Sequence, residues 1–134
     1  MDGSDKRSRK DKQLNVLGGD LEPCRSSKDQ NEIITGFYRD NCCNTGPDDF
    51  GLHTVCCIIS QSFLTFSKSV GNDLSTSIPE YNFKGLREGD HWCLCASRWQ
   101  EAFNAGKAPK VILKSTNIAT ISVVKLEDLK KYSQ

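Results

Sequence analysis

The sequence predicts an α+β fold, a small two-layer domain whose mixed or antiparallel sheet is packed by two to three helices. Three observations predict it. His53–Ile59 is a short β-branched, apolar run, long enough for one buried strand. Ala96–Ala105 has the helical period, with Ala96, Trp99, Ala102 and Phe103 on one face and Arg98, Gln100, Glu101 and Asn104 on the other. The remaining apolar segments are short, non-repeating and separated by turn formers, which suits strands and helices packed as two layers.

A chain of 134 residues is of single-domain size. Met1–Gln13 is a mixed-charge run without an apolar anchor and is expected to be a disordered tail, leaving 14–134 as one domain. Asn15–Leu17 enters a short strand and Gly18-Gly19 turns it. The polar loop RSSKDQNE follows, then an extended Ile33–Tyr38 that brings Phe37 and Tyr38 to the core. After the His53–Ile59 strand, Ser60 or Ser62 caps a helix running to about Val70. Phe63, Leu64 and Phe66 face inward, and Gly71 suits the positive φ of a helix end. Asn72–Phe83 is a loop that tacks Ile78 and Tyr81 onto the core. Gly85–Asp90 turns into a strand His91–Cys95, which feeds the Ala96–Ala105 helix. Gly106 and Pro109 stop that helix. Lys110–Lys114 and Ile118–Val124 read as a hairpin about Ser115–Asn117, and Glu127–Tyr132 as a terminal helix.

With 18 basic and 17 acidic residues, no field argues for nucleic acid or an anionic membrane. The longest apolar run, Val55–Ile59, is far short of the about 20 residues a span requires. The charged N-terminus lacks an apolar segment, so no secretory signal is read and a cytoplasmic location is expected. Nucleic acid and membrane are not expected as partners, and any protein or small-molecule partner is left open. Seven cysteines are many for this length. In a reducing compartment they read as buried thiols, metal ligands or a reactive nucleophile rather than as a disulfide framework, which is disfavoured but not excluded.

Long stretches of the sequence are distinctive. They are NVLG at Asn15–Gly18, TGFYRD-CCNTGPDD-G-HTVC at Thr35–Cys56, FSKS-GNDLST at Phe66–Thr76 and GD-WCLCASRW at Gly89–Trp99. These resemble the bacterial family called domain of unknown function 2237, over essentially Asn15 to the C-terminus. The resemblance implies a small α+β cytoplasmic protein and no activity, so it supplies no functional residue. In the family pattern position 41 is usually glycine, 91 usually arginine and 57 usually not cysteine, so a role of His91 or Cys57 would be particular to this chain.

The residues themselves offer several constellations. On a strand, His91, Cys93 and Cys95 share one face and Trp92 and Leu94 the other. Thiolates and imidazole are ligands that Zn²⁺ or Cu(I) prefers, although the spacing is not a C-x₂-C knuckle. The metal-binding reading takes Cys93 and Cys95 with Cys42, Cys43 or His53, and zinc as the metal. A thiol-enzyme or redox reading takes Cys42 or Cys43 as nucleophile, with His53, Asp40 and Arg39 as further candidates. Of the adjacent pair, one thiol is expected to point into the site and the other away. Arg39 would lower a loop thiol's pKa, whereas Asp40, Asp48 and Asp49 would raise it. Asp48 and Asp49 follow Gly46-Pro47 and read as turn formers. A third reading leaves the cysteines as packing in an interaction domain. No C-x-x-C, P-loop, G-x-S-x-G or H-E-x-x-H is present to support the standard redox, nucleotide or hydrolase readings.

Overall fold

The computed structural model describes residues 12–25 and 33–134. Strand β1 (His53–Ile58) is central, with β2 (His91–Cys95) and β3 (Lys110–Val111) on either side, both antiparallel to it. Helices α1 (Gln61–Ser69), α2 (Ala96–Asn104) and α3 (Leu126–Lys131) complete a small α+β domain. The β1–β2 register pairs Ile58 with His91, Cys57 with Trp92, Cys56 with Cys93 and Val55 with Leu94. It then shifts, so that His53 stands opposite Cys95. Such an irregularity re-aims a side chain next to the ladder.

Period-two alternation separates two interiors. Val55, Cys57, Trp92 and Leu94 join the apolar core with Phe63, Leu64, Trp99, Ala102 and Leu129. Cys56 and Cys93 face the other way, into a smaller buried cluster with Cys24 and Cys43. In α1, Ser60 Oγ accepts from the Phe63 N–H at 3.2 Å, and Gly71 takes φ +92 just past the helix end. α2 buries Ala96, Trp99 and Ala102. The Trp99 ring stacks on Phe103 and meets Tyr132 edge-on, and its Nε1–H donates to the Pro109 carbonyl at 3.2 Å.

Several expectations are corrected. In place of a strand over Asn15–Leu17, Leu14 and Asn15 make isolated bridges to Asp20 and Asn117. The expected hairpin does not form: past Val111 the chain makes 3₁₀ turns at Leu113–Ser115 and Ile118–Ser122. The cause is side-chain competition for the backbone. Asn117 Oδ1 accepts from the Ala119 N–H at 2.9 Å, Thr116 Oγ1 donates to the Ile112 carbonyl, and Thr120 Oγ1 donates to Thr54 Oγ1 at 2.8 Å. Phe37 and Tyr38 are exposed rather than core, and Tyr81 is 79% exposed. Gln13 belongs to the fold, since its side chain bonds both the N–H and the carbonyl of Thr45. The rest of the expected tail (1–11) and residues 26–32 of the RSSKDQNE loop lie outside the described residues.

Candidate functional site

The turn-rich segment before β1 is organised by Asp49. Its N–H donates to the Gly46 carbonyl, and its own carbonyl accepts from Leu52 N–H. These tight turns point its carboxylate inward, where the side chain is fully buried. Oδ2 accepts from Thr45 Oγ1 at 3.0 Å and from the His53 N–H at 2.9 Å, while His53 Nδ1 donates to Oδ1 at 2.6 Å. A carboxylate only accepts, so this bond places a proton on Nδ1 and leaves Nε2 as the outward ring atom.

Cys95 is the register partner of His53, and its side chain is the chief cause of the raised pKa of the imidazole. A Cβ on Gly51 would lie 3.5 Å from His53 Nε2 and 3.3 Å from Cys95 Sγ, so the two atoms face the same point. Cys95 ends β2 and is at the same time the N-cap of α2, where its side chain makes no capping bond. The Ala96 N–H donates to the Leu52 carbonyl at 2.9 Å, tying the start of α2 to the residue just before His53. Leu52 holds φ +48 to make this possible, and Arg39 (+57) and Asn41 (+64) are two further non-glycine residues in the left-handed region nearby. Such backbone costs roughly 1–3 kcal/mol per residue and concentrates at functional sites. Gly51 crosses over the pair. A Cβ there would sit 3.0 Å from His53 Cε1 and 3.3 Å from Cys95 Sγ, so any larger residue would push one of these side chains aside by a few tenths of an ångström.

The His53 imidazole is held protonated, its pKa raised to about 9. The Cys95 side chain contributes most to the rise, burial opposes it, and the bond and charge of Asp49 add to it. Both His53 and Cys95 keep partial solvent access. Beside them lies a groove of about 290 Å³ lined by Gly36, Phe37, Arg39, His53, Trp92 and Cys93. Phe37 stacks on the His53 ring with centroids 5.8 Å apart, and the Arg39 guanidinium lies 5.5 Å over Trp92.

The other anticipated residues are arranged differently. Cys43 points inward and is bonded to Cys93, Cys24 is bonded to Cys56, and Cys42 turns away, half-buried. The two cysteine-rich stretches therefore do meet, through Cys43–Cys93. This pairing removes Cys43 as a free nucleophile. Burial, and secondarily the Asp40 charge, pushes the Cys42 thiol up, away from thiolate. Asp40 accepts from Cys42 N–H and from Asn44 Nδ2, which is a turn role. The anticipated ligand set of Cys93, Cys95, Cys42, Cys43 and His53 is divided among a disulfide, the Cys95–His53 pair and an outlying thiol. Two other donor sets lie close enough to share an ion, Cys24–Cys43–Cys93 and Cys24–Cys56–His91, each with its ligand atoms within 4.8 Å of one another. Cys57 is a packing thiol, pushed well up by burial. Asp73, after α1, only caps its turn, with its pKa lowered to about 2 chiefly by the Thr76 hydroxyl.

Sequence reasoning took Asp49 for a turn former and Cys95 for a metal ligand. The signal for Cys95 was present, since the strand ends and the helix begins at that residue. The signal for Asp49 was its spacing of four from His53.

The family model described as an uncharacterized protein conserved in bacteria (DUF2237) matches residues 14–133. The chain belongs to the DUF2237 family. The DUF2237 match takes in Asp49, His53, Cys95 and all four disulfide-bonded cysteines. No curated protein matches the chain. Among the described residues, no helix is long and apolar enough to cross a membrane.

Proposed function

We propose that this protein is a thiol-dependent acyl-transfer enzyme with Cys95 as nucleophile, His53 as its acid–base partner and Asp49 as the residue that orients His53. The observation that carries the reading is the arrangement itself: a fully buried carboxylate bonds Nδ1 of a histidine that stands opposite a partly exposed cysteine at a helix N-terminus, the side chain that raises the histidine's pKa most. Nucleophile, base and orienting acid are the parts that activated-thiol catalysis requires. A dithiol redox role is less well supported, because Cys93, the cysteine nearest Cys95 in sequence, is bonded to Cys43.

The chemistry is balanced within these groups. With the Cys95 proton on His53 Nε2, the sulfur adds to a carbonyl carbon, whose π electrons pass to oxygen. The first-turn amides of α2 past Ala96, whose own N–H is taken by the Leu52 carbonyl, are the donors nearest in sequence to that oxyanion. Collapse of the adduct breaks the bond to the leaving group, which takes the proton from His53 Nε2. A water then gives a proton to Nε2 as it attacks the thioester, and cleavage releases the acid and returns the sulfur to its pairing with protonated His53.

The test is single-turnover reaction with a p-nitrophenyl ester, followed by intact-mass and peptide analysis. One acyl group on Cys95 is expected, absent in Cys95→Ala. The rate should fall about 100-fold or more in His53→Ala and stay unchanged in Cys42→Ala. Acylation of Cys42 in place of Cys95, or an undiminished rate in Cys95→Ala, overturns the reading.

A further inference from the structure

The second buried interior holds four sulfurs and little else. Cys24, Cys43, Cys56 and Cys93 arrive from four separate stretches, each is at most 2% exposed, and among the described residues Ile112 is the one partly buried apolar side chain packed against them. Their backbones are fixed by polar partners. Cys24 N–H donates to the Asn41 carbonyl at 2.6 Å. Cys56 and Cys93 N–H donate to Thr116 Oγ1 and Thr35 Oγ1 at 3.1 and 2.8 Å. Asn117 Nδ2 donates to the Cys43 carbonyl at 3.1 Å. Cys56 and Cys93 are also direct cross-strand partners. The two disulfides touch, because the Cys24 sulfur lies within 4.8 Å of both Cys43 and Cys93 sulfurs.

We propose that these four cysteines form a redox-gated metal site: in the reduced chain Cys24, Cys43, Cys56 and Cys93 together bind one Zn²⁺. Zn–S bonds of about 2.3 Å at tetrahedral angles place sulfurs about 3.8 Å apart. Cys24, Cys43 and Cys93 need close by no more than about 1 Å from their present separations, each bonded pair opens to the same distance, and Cys56, which shares its close donor set with Cys24 and His91, moves further to join them. Thiolates are the ligands that select zinc over harder cations. Full burial leaves no open position, so the ion is structural and separate from the Cys95 relay. Two equivalents of a dithiol supply the four electrons and four protons that convert both disulfides to thiols, and are themselves oxidised to two disulfides. Zinc then displaces four protons from the thiols. Two equivalents of a small-molecule disulfide reverse the exchange: they take up the four electrons and are reduced to thiols, both protein disulfides re-form and the ion is released. The site thus gives the same four side chains two ways to hold Thr35–Cys43 and Cys24 against the sheet.

The full chain, reduced with a dithiol and freed of it under argon, is titrated with Co²⁺ and then Zn²⁺. One Co²⁺ per chain with the strong visible bands of tetrahedral thiolate coordination is expected, displaced by one Zn²⁺. Zinc should protect Cys24, Cys43, Cys56 and Cys93 from alkylation and leave Cys42 and Cys95 reactive, while Cys57 stays shielded by burial in the folded chain. Cys24→Ser, which removes the sulfur common to both close donor sets, should weaken binding at least 100-fold. Cys95→Ser and Cys42→Ser should leave stoichiometry and bands unchanged. Absence of tetrahedral bands overturns the proposal. So does binding that survives Cys24→Ser or is lost in Cys95→Ser, or a reduced chain that unfolds and is not refolded by zinc.

Discussion

Replacing Asp49 by asparagine tests the relay at its buried end. The carboxylate accepts three bonds, from Thr45 Oγ1, the His53 N–H and His53 Nδ1, with its side chain fully buried. The amide keeps one acceptor. Oriented to receive Nδ1–H, it turns its NH₂ toward the His53 backbone N–H, donor against donor, while the Thr45 hydroxyl rotates to accept. An orphaned buried donor costs about 1–3 kcal/mol, and loss of charge assistance on the retained bond adds about 1 kcal/mol. Together these give about 3 kcal/mol at pH 7, or about 10 °C in Tm for a domain of this size. The same substitution changes the pH dependence. His53 has a folded pKa of about 9 against 6.5 for the unsupported ring, so its contribution is fully present below pH 6.5 and is lost as pH rises through 9. The ceiling from that shift, 2.5 units at about 1.4 kcal/mol each, is about 3.5 kcal/mol. The ring is 35% exposed, and solvent screening brings this to roughly 1–2 kcal/mol. Asp49→Asn should lessen the loss between pH 6.5 and 9 and move the His53 midpoint part of the way down toward 6.5, since the larger contribution, from Cys95, remains. Urea unfolding at a series of pH values and NMR titration of the two histidines read both effects. A midpoint still near 9 with stability within about 0.5 kcal/mol of the parent would refute the relay.

Three further outcomes follow from the same geometry. Gly51→Ala puts a methyl group against His53 and the Cys95 sulfur; alkylation of Cys95 by iodoacetamide should slow at least tenfold while urea stability drops by only about 1–2 kcal/mol. Cys43→Ser breaks the bridge across 50 residues and should cost about 4 kcal/mol under oxidising conditions, measured by urea unfolding, and the penalty should vanish when parent and variant are compared fully reduced without metal. Trp99→Ala empties the centre of the Trp99–Phe103–Tyr132 stack and orphans the Pro109 carbonyl; calorimetry should show a loss of about 3–5 kcal/mol.

Which parts of the fold were legible depends on where the deciding contacts lie. β1, α1, β2 and α2 match their sequence patterns because apolar period and capping chemistry act within a few residues, as at Ser60 and Gly71. The 110–124 stretch misled because its β-branched residues suit a strand, yet Thr116, Asn117 and Thr120 divert the backbone by contacts with Thr54, Cys56 and Cys43 far away in sequence. Phe37 and Tyr38 look like core by composition. Their exposure follows from a loop conformation that the left-handed Arg39 and Asn41 set.

The sequence by itself determined the α+β class, the family membership that the long motifs announced, and the division of strand β2 into a cysteine face and a tryptophan–leucine face. Those are consequences of local periodicity and of runs of residues read directly. Only the tertiary structure decided what each cysteine is for. Cys42 and Cys43 are neighbours in the chain, but one side chain is half-exposed and the other meets Cys93, 50 residues away. Asp49 became more than a turn former because the β1–β2 register shift brings His53 opposite Cys95. Reactivity belongs to distances between side chains, and only the packing of segments remote in sequence sets them.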